Sequence, residues 1–204
     1  MALRLAAPEG DTRQQILQRA IALFAGAGYA GVSVRDVAAQ VGISAAALYH
    51  HFPDKQALYL AAMEHAFARN ESGILAAMES ALSPLERLDC FVTRFAALVA
   101  GDEEFRRLVQ RELLDGDEAR LELLAEHVFR QPHAAIVALA RELAPDLDPY
   151  MLADSVIGLV LFSFQTAPLR RHLAGRAEPP ESPEDIARHV MTLLTRVFAH
   201  QDSP

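Results

Sequence analysis

Histidine and cysteine are the most reactive side chains in this sequence, and their spacing does not form a metal or catalytic motif. The chain has eight histidines and one cysteine, but it contains neither H-E-x-x-H nor the E-x-x-H pattern that holds metals on helices. Cys90 lies on an apolar stretch beside Leu88 and Phe91, which predicts an inert buried thiol. We therefore expect no catalytic residue, no metal and no cofactor.

The segment 26–31 matches the G-x-G-x-x-G pattern of dinucleotide-binding turns. Such a turn follows a strand, opens a helix and needs an acidic residue about 20 positions later. Here the preceding residues have the periodicity of a helix. We interpret these glycines as the end of that helix and the turn after it.

Charge is divided unevenly along the chain. Residues 1–55 contain five Lys or Arg and four Asp or Glu, whereas residues 56–204 contain fourteen and twenty-three. The net charge of -8 therefore belongs to the second part. The first part keeps cationic side chains that can face phosphate, although charge alone does not identify a nucleic-acid binder.

The elements that must position these side chains are helices. Hydrophobic residues make up 51% of the chain, Ala, Leu, Glu and Arg dominate, and strand-like alternation is almost absent, so the sequence predicts an all-α fold. We expect about nine helices. The first should be capped by Asp11 or Thr12 and should end at Gly28.

Two short helices should follow, joined by a tight turn. Residues Ser33–Asp36 form a capping-box pattern, Gly42 permits the turn, and Ser44 caps the next helix. Leu48 and Phe52 would anchor that helix and leave its other face exposed. Three helices arranged in this way form a helix-turn-helix, which either enters a DNA major groove or serves only as a packing unit.

The same stretch resembles the TetR family of helix-turn-helix regulators, over about residues 12–60 and without gaps. The resemblance is carried by Ala22-Leu23-Phe24, Gly28-Tyr29, Ser33 to Ala38, Val41 to Ser44, Leu48 to Phe52, Lys55 and Leu58. It implies a homodimeric, ligand-responsive repressor that binds double-stranded DNA. The implied domains are a helix-turn-helix DNA-binding domain at 1–55, with an arm at 1–10, and a larger helical effector-binding and dimerisation domain at 56–204.

The resemblance also implies which side chains meet DNA. Arg35 matches a position that reaches a base edge, although a phosphate contact would suit the same side chain. The third helix opens with Ser44, Ala45, Ala46 and Ala47, and the alanine methyl groups can meet thymine methyls but cannot donate hydrogen bonds.

Three further residues complete the expected interface. Tyr49 is expected to touch phosphate, with half-buried packing as the alternative, and His50 is expected to be exposed. Lys55 is expected in the first turn of the fourth helix, where amide donors and the helix dipole attract phosphate.

Turn and cap residues divide the remaining chain into further helices. We expect a long fourth helix from Pro53-Asp54 to about Ala81, and later helices that begin at Ser83-Pro84, Asp148-Pro149 and Ser182-Pro183, with breaks near Gly101 and Gly116 and a loop over 175–183. Pro132 should kink or split the helix that follows Asp117.

The second domain should hold a small, largely hydrophobic effector, such as an aromatic drug-like molecule or a fatty acyl compound. Its candidate contacts are aromatic and polar residues that would converge on a cavity, although aromatics at helical spacing also fit an ordinary core. The candidates are Phe91, Phe95, Phe105, Arg111, Glu112, His127, Phe129, Phe162 and Gln165.

The helices that begin at Pro149 and Pro183 are the expected dimer interface, because both carry broad apolar faces. A symmetric dimer predicts a near-palindromic operator, and the effector would favour a dimer whose half-site spacing no longer fits DNA. We see no secretory signal and no apolar run near 20 residues, so we expect a cytoplasmic protein without a membrane contact.

Two other classes of function remain open. The chain could be a DNA-binding or interaction protein without a small-molecule effector, controlled by a protein partner. Alternatively, it could be a helical interaction or enzymatic domain in which the first three helices only pack.

Overall fold

A computed structural model describes residues 9–71, 73–170, 172–173 and 182–199, and within these ranges the chain forms helices and no strand. Four helices come first. They are α1 (Glu9–Ala27), α2 (Val34–Val41), α3 (Ala45–His51) and α4 (Lys55–Glu71). The expected all-α fold with an N-terminal helix-turn-helix is confirmed.

Eight further helices follow α4. They are α5 (Ile74–Met78), α6 (Pro84–Gly101), α7 (Glu103–Asp115), α8 (Glu118–Leu124), α9 (Arg130–Leu143), α10 (Pro149–Gln165), α11 (Ala167–Arg170) and α12 (Pro183–Ala199). A single π-helical turn, Ala125–Phe129, joins α8 to α9. When this continuous helix is counted once, nine helices of the described chain have at least seven residues, in agreement with the expected number.

The predicted helix starts at the later boundaries are confirmed by their side-chain caps. Ser83 and Glu86 form a reciprocal capping box at the start of α6. The Asp148 carboxylate accepts from the amides of Tyr150 and Met151, both at 2.9 Å, at the start of α10. These signals are local, since each cap satisfies amides within three residues of itself.

Two expected boundaries were wrong. Helix α1 begins at Glu9, so Asp11 and Thr12 lie inside its first turn rather than before it. The fourth helix ends at Glu71 instead of continuing to about Ala81, and the separate helix α5 follows.

Pro132 was expected to kink or split the helix that follows Asp117. The chain does not break at Pro132, which lies inside α9, but the π-helical turn Ala125–Phe129 interrupts the α-helical pattern just before it. A helical proline has no amide hydrogen and its ring crowds the carbonyl four residues earlier, which here belongs to Val128. Val128 lies in the π-helical turn, whose wider spacing accommodates that crowding.

The chain forms two compact units. The first contains residues 1–69 and 104–128, and the second contains residues 70–103 and 129–204. The packing units therefore interleave along the chain and do not divide at residue 55. The functional division into 1–55 and 56–204 concerns binding rather than packing, and it stays a prediction. Most of the expected arm (1–10) and of the loop at 175–183 lies outside the described residues.

Each unit has its own apolar core. In the first, α1, α2 and α3 bury one face each, and the core includes Ile16, Phe24, Val37, Leu48 and Leu58. In the second, α6 packs against α12, α9 and α10, and the core includes Leu88, Val92, Ile136, Val160 and Val190. The first core fixes the three helices that carry the candidate DNA contacts.

Candidate DNA interface

Helix α2 starts at a reciprocal capping box that holds Arg35 in a defined place. The Asp36 amide donates to Ser33 Oγ at 3.2 Å, and the Ser33 amide donates to Asp36 Oδ2 at 2.8 Å. The Ser33 hydroxyl and then the Ser33 amide, which both donate to the Asp36 carboxylate, hold the pKa of Asp36 below its ordinary value. Arg35 lies next to this box with its side chain exposed.

The turn between α2 and α3 depends on Gly42, whose φ is +82°. Its amide donates to the carbonyl oxygens of Ala38 and Ala39 at 2.9 and 3.2 Å, and the Ile43 amide donates to Ala38 at 3.0 Å. This left-handed position closes α2 and redirects the chain into α3.

Helix α3 has one buried face and one exposed face. Leu48 and Phe52 anchor it, with 0% and 3% exposure, whereas Ala46, Tyr49 and His50 are exposed. Half of the Tyr49 surface is accessible, which suits both a phosphate contact and half-buried packing, so its role stays a prediction.

The first turn of α3 presents only small side chains. Ala45 and Ala47 are half-buried beside the exposed Ala46. The Ser44 oxygen is directed back to its own helix, where it accepts from the Ala47 amide at 3.1 Å. This end of the helix therefore offers methyl groups rather than hydrogen-bonding side chains to a partner.

Lys55 is the first residue of α4, and its ammonium is held by an aromatic ring. Lys55 Nζ lies 4.2 Å from the centroid of Tyr29. Burial and the nearby Arg120 guanidinium lower the pKa of Lys55, and Asp36 opposes that shift. The Asp54 carboxylate accepts from the Ala57 amide at 2.7 Å, so it already occupies one of the amide donors at this helix start.

Tyr29 belongs to an aromatic cluster that joins α1 to α4. The ring of Tyr59 meets both Tyr29 and Phe24 edge-on, with centroids 5.1 and 4.9 Å apart. A second cation contacts the same ring as Lys55, because Arg120 Cζ lies 4.3 Å from the Tyr29 centroid. Tyr29 is part of the Gly28-Tyr29 family motif, but no sequence pattern predicted its contact with Arg120.

A buried carboxylate, Glu112, completes the cluster. It is 1% exposed, accepts from the Tyr59 hydroxyl at 2.8 Å and accepts from Arg120 Nε at 2.9 Å. Burial and the hydrogen bond to Glu112 raise the pKa of Tyr59 far above its ordinary value, so its hydroxyl stays a donor. The signal for this site is visible in the sequence, since Glu112 continues the face of Phe105 and Leu108 at helical spacing.

The residues expected to contact an effector fall into both compact units. In the first unit, Phe105 packs against Phe67 with ring centroids 5.8 Å apart, and Glu112 belongs to the cluster just described. Arg111 donates to the carbonyl oxygens of Ala25 and Gly26, at 3.0 and 2.7 Å, at the end of α1. His127 is exposed.

The second unit contains the other candidates. Phe91 and Phe95 stack on α6 with centroids 5.5 Å apart, and Phe129 is half-buried. Phe162 is 65% exposed, and Gln165 is exposed as well. The structure brings Phe91 and Phe95 together, while the role of this set in binding a ligand stays a prediction.

The second unit also has an open cavity of about 610 Å³ between α6 and α12. Seven of its nine lining residues have polar or charged side chains, and none of them is a residue expected to contact the effector. The lining residues are Asp89, Thr93, Glu184, Ala187, Arg188, Met191, Thr192, Thr195 and Arg196.

Helices α10 and α12 carry large apolar side chains that the single chain leaves exposed. On α10 these include Met151 and Phe162, and on α12 they include Leu193 and Val197. The two helices also contact each other within the second unit. The expectation that these two helices form a dimer interface stays a prediction.

Two family models match the chain. Residues 16–62 match the bacterial regulatory proteins of the tetR family, and residues 84–199 match the C-terminal domain of the HTH-type transcriptional dual regulator CecR. The chain belongs to the TetR family. It is a helix-turn-helix, DNA-binding transcription regulator.

Individual relatives agree with this assignment. The transcriptional repressor KstR2 of Mycolicibacterium smegmatis is 30% identical over 116 residues, which cover 53% of this chain and 57% of KstR2. The nucleoid occlusion factor SlmA of a Marinomonas species is 26% identical over 134 residues, which cover 66% of this chain and 68% of SlmA.

Solved structures share the fold at low identity. The regulator FadR of Bacillus subtilis, in complex with stearoyl-CoA, superposes with a TM-score of 0.72 at 16% identity and covers 89% of this chain and 96% of its own. The relatives are transcription regulators rather than enzymes.

The described part of the chain shows neither a metal-binding cluster nor a membrane-spanning helix. Within them, no His, Cys, Asp and Glu side chains gather in a group of three that could hold a metal ion. No helix in the described ranges combines the length and apolarity needed to cross a bilayer.

Proposed function

We propose that this regulator is a repressor that binds a near-palindromic operator as a homodimer and leaves it when a small, largely hydrophobic ligand binds. The observation that carries the proposal is the exposed face of α3, flanked by Arg35 on α2 and Lys55 on α4. An α-helix fits the major groove, and flanking cations fit the phosphates on either side.

The individual contacts follow from the chemistry of this face. Arg35 makes a bidentate contact to a guanine, Tyr49 and Lys55 bind phosphate, and His50 lies at the groove edge. The backbone at Ser44 and the methyl groups of Ala45, Ala46 and Ala47 approach the bases closely.

Dimerisation in this proposal uses α10 and α12. Two copies of these helices would form a four-helix bundle around a two-fold axis and bury the exposed Phe162 and Val197 side chains. The dimer carries two copies of α3, which explains why the operator should be near-palindromic.

The effector is proposed to bind in the larger helical domain, where the half-buried Phe95 ring stacks on the buried Phe91. The stearoyl-CoA complex of FadR, which has the same fold, supports an acyl chain as one chemical class to test. An effector that favours a dimer with the wrong half-site spacing would weaken operator binding by about 5- to 150-fold, the range for a typical coupling.

A binding experiment tests the DNA contacts. Genomic fragments are selected on the purified protein, and the affinity of the selected site is compared with those of Arg35→Ala, Lys55→Ala and a Glu64→Ala control on the exposed side of α4. Arg35→Ala should relax the preference at one base position, while Lys55→Ala should weaken all sequences equally and lower the salt dependence by about 0.9 log units per lost phosphate contact. Unchanged affinity in the double variant removes these assignments.

A second candidate is a DNA binder without a small-molecule effector, controlled by a protein partner. The observation that supports this second candidate is the similarity to SlmA, which is named as a nucleoid occlusion factor. Thermal unfolding across a library of acyl-CoA compounds and hydrophobic drugs separates the two, because a ligand of the folded state must raise the melting temperature. A library without a stabilising compound favours the second candidate.

A further inference from the structure

The chain contains a single lysine, and that lysine is Lys55; every other basic residue apart from histidine is arginine. Its ammonium lies 4.2 Å from the Tyr29 ring centroid, and both side chains are half-buried. A cation over an aromatic face is attracted by the ring quadrupole. Lys55 is therefore held above a ring at the candidate DNA interface.

The ring that holds Lys55 is itself fixed by a second cation. Arg120 lies 4.3 Å from the Tyr29 centroid, and only 12% of its side chain is exposed. Its Nε donates to Glu112 at 2.9 Å, and its Nη1 lies 3.3 Å from Asp117. Because these carboxylates anchor the guanidinium, Arg120 is a rigid support for the ring.

A second set of contacts, through Tyr59, connects Tyr29 to the Glu112 carboxylate. Tyr59 lies one helical turn after Lys55 on α4, meets Tyr29 edge-on and donates its hydroxyl to Glu112. The orientation of Tyr29 is thus determined both through Arg120 on α8 and through Tyr59 on α4. Neither Tyr29 nor Arg120 needs to touch DNA to influence Lys55.

We propose that Tyr29 is a positioning residue for the phosphate contact of Lys55, and that Arg120 holds Tyr29 in place. A lysine has a flexible four-carbon stem, and ordering it on DNA costs entropy. A side chain already held over a ring loses less freedom when it binds phosphate, so binding is tighter. The inference rests on the proposed phosphate contact of Lys55.

Operator affinity in a double-mutant cycle tests Tyr29. Tyr29→Leu should weaken binding by about 4- to 25-fold for a dimer that carries the contact twice, whereas Tyr29→Phe, which keeps the aromatic face, should stay within about twofold of the parent. In the Lys55→Ala background, Tyr29→Leu should cause no further loss. Equal losses in both backgrounds overturn the proposal.

The support from Arg120 is tested in the same cycle. Arg120→Met is combined with Glu112→Gln, so that no unpaired charge is left buried and Tyr59 keeps an acceptor. This pair should weaken operator binding only when Lys55 is present. An equal loss in the Lys55→Ala background shows a purely structural role and overturns this part of the proposal.

A direct measurement does not depend on DNA. Lysine-selective ¹³C labelling gives one lysine signal, and the ring current of Tyr29 should shift its ε-methylene protons upfield. The shift should persist in Tyr29→Phe and vanish in Tyr29→Leu; random-coil shifts in the parent protein overturn the proposal. If the upfield shift is present but Lys55→Ala leaves operator affinity unchanged, Lys55 does not bind phosphate. The positioning role of Tyr29 is then overturned as well.

Discussion

Arg120 and Glu112 form a buried ion pair in which Nε donates to the carboxylate at 2.9 Å, with 12% and 2% of the two side chains exposed. Removing two charges from water is costly, and their attraction repays that cost only when further hydrogen bonds satisfy both groups. Here the Tyr59 hydroxyl supplies one such bond. The pair therefore joins α4, α7 and α8 inside the first compact unit.

Removing only the Arg120 charge should lower the free energy of unfolding more than removing both charges of the pair. Arg120→Met leaves the Glu112 carboxylate buried without its cation and should lower the free energy of unfolding by about 3–5 kcal/mol. Arg120→Met with Glu112→Gln should lower it by less than the single change, because no buried charge remains. Urea unfolding measures both, and an equal or greater loss in the double variant contradicts this account.

Two Gly→Ala substitutions, one at Gly42 in the turn before α3 and one at Gly26 in α1, should have opposite effects on stability. Gly42→Ala places a Cβ at a φ of +82° and should destabilise the protein by about 1–2 kcal/mol. Gly26→Ala lies inside α1 with open space around the new Cβ and should stabilise it by about 0.5–1 kcal/mol. Thermal unfolding compares them directly, and a stabilising Gly42→Ala would show that the turn tolerates other conformations.

The starts of α2 and α6 were predictable from the sequence because their caps are local. The box at Ser33–Asp36 and the cap at Ser83 satisfy amides within three residues, so a short motif contains all the information. The end of α4 was not predictable in the same way. The Ser72-Gly73 pair is a local turn signal, but residues 55–81 keep a helical apolar period on both sides of it, and this favoured one continuous helix.

The candidate DNA contacts come from family motifs and stay predictions, whereas the contacts that support Lys55 had no signal in the sequence. Tyr29 and Arg120 are far apart in the sequence, and only the fold brings both to one ring. Glu112 is one of the polar residues expected to converge on an effector cavity, and that role stays a prediction. In the structure its carboxylate accepts from Arg120 and Tyr59.

Dimerisation through α10 predicts that a charge on its exposed apolar surface will separate the protomers. Phe162→Arg should give a monomer, because the exposed ring would otherwise be buried against the second copy. Leu114→Arg on α7, where the side chain is 79% exposed, is the matched control and should leave the dimer intact. Light scattering gives the mass of each, and a dimeric Phe162→Arg protein would place the interface elsewhere.

Lys55 should lose its proton at a lower pH than an ordinary lysine. Burial, then Arg120, lowers its pKa below the reference of 10.5. The unfolded chain therefore binds this proton more tightly than the folded one. Charged Lys55 opposes folding below its folded pKa, and that cost disappears as the pH rises from the folded pKa to 10.5.

The titration of the single lysine signal in ¹³C-labelled protein measures this pKa directly. In the Arg120→Met, Glu112→Gln variant the midpoint should move up, since the like charge is gone. Operator affinity should begin to fall at the measured midpoint, because a neutral amine cannot pair with phosphate. A midpoint at or above 10.5 in the parent protein contradicts the shift.

The alanine face of α3 predicts that the operator is read partly through thymine methyl groups. Uracil keeps every hydrogen-bonding group of thymine and lacks only the C5 methyl. Replacing the thymines that face α3 with uracils in the selected operator should therefore weaken binding. The expected loss is about 0.8 kcal/mol, or roughly fourfold, for each methyl group removed from contact. Ala46 is the exposed member of this face, and Ala46→Gly should reduce the difference between thymine and uracil.

Ala39→Gly is the matched control for that experiment. Ala39 is exposed on α2, and its replacement by glycine causes the same loss of helix propensity as Ala46→Gly. Ala39→Gly should therefore weaken binding to the thymine and uracil operators equally and preserve the difference between them. An operator that binds equally well with uracil at every position of both half-sites means that α3 does not touch thymine methyls. In that case base readout would depend on Arg35 and His50, and the alanines would serve only to let the helix backbone approach the groove.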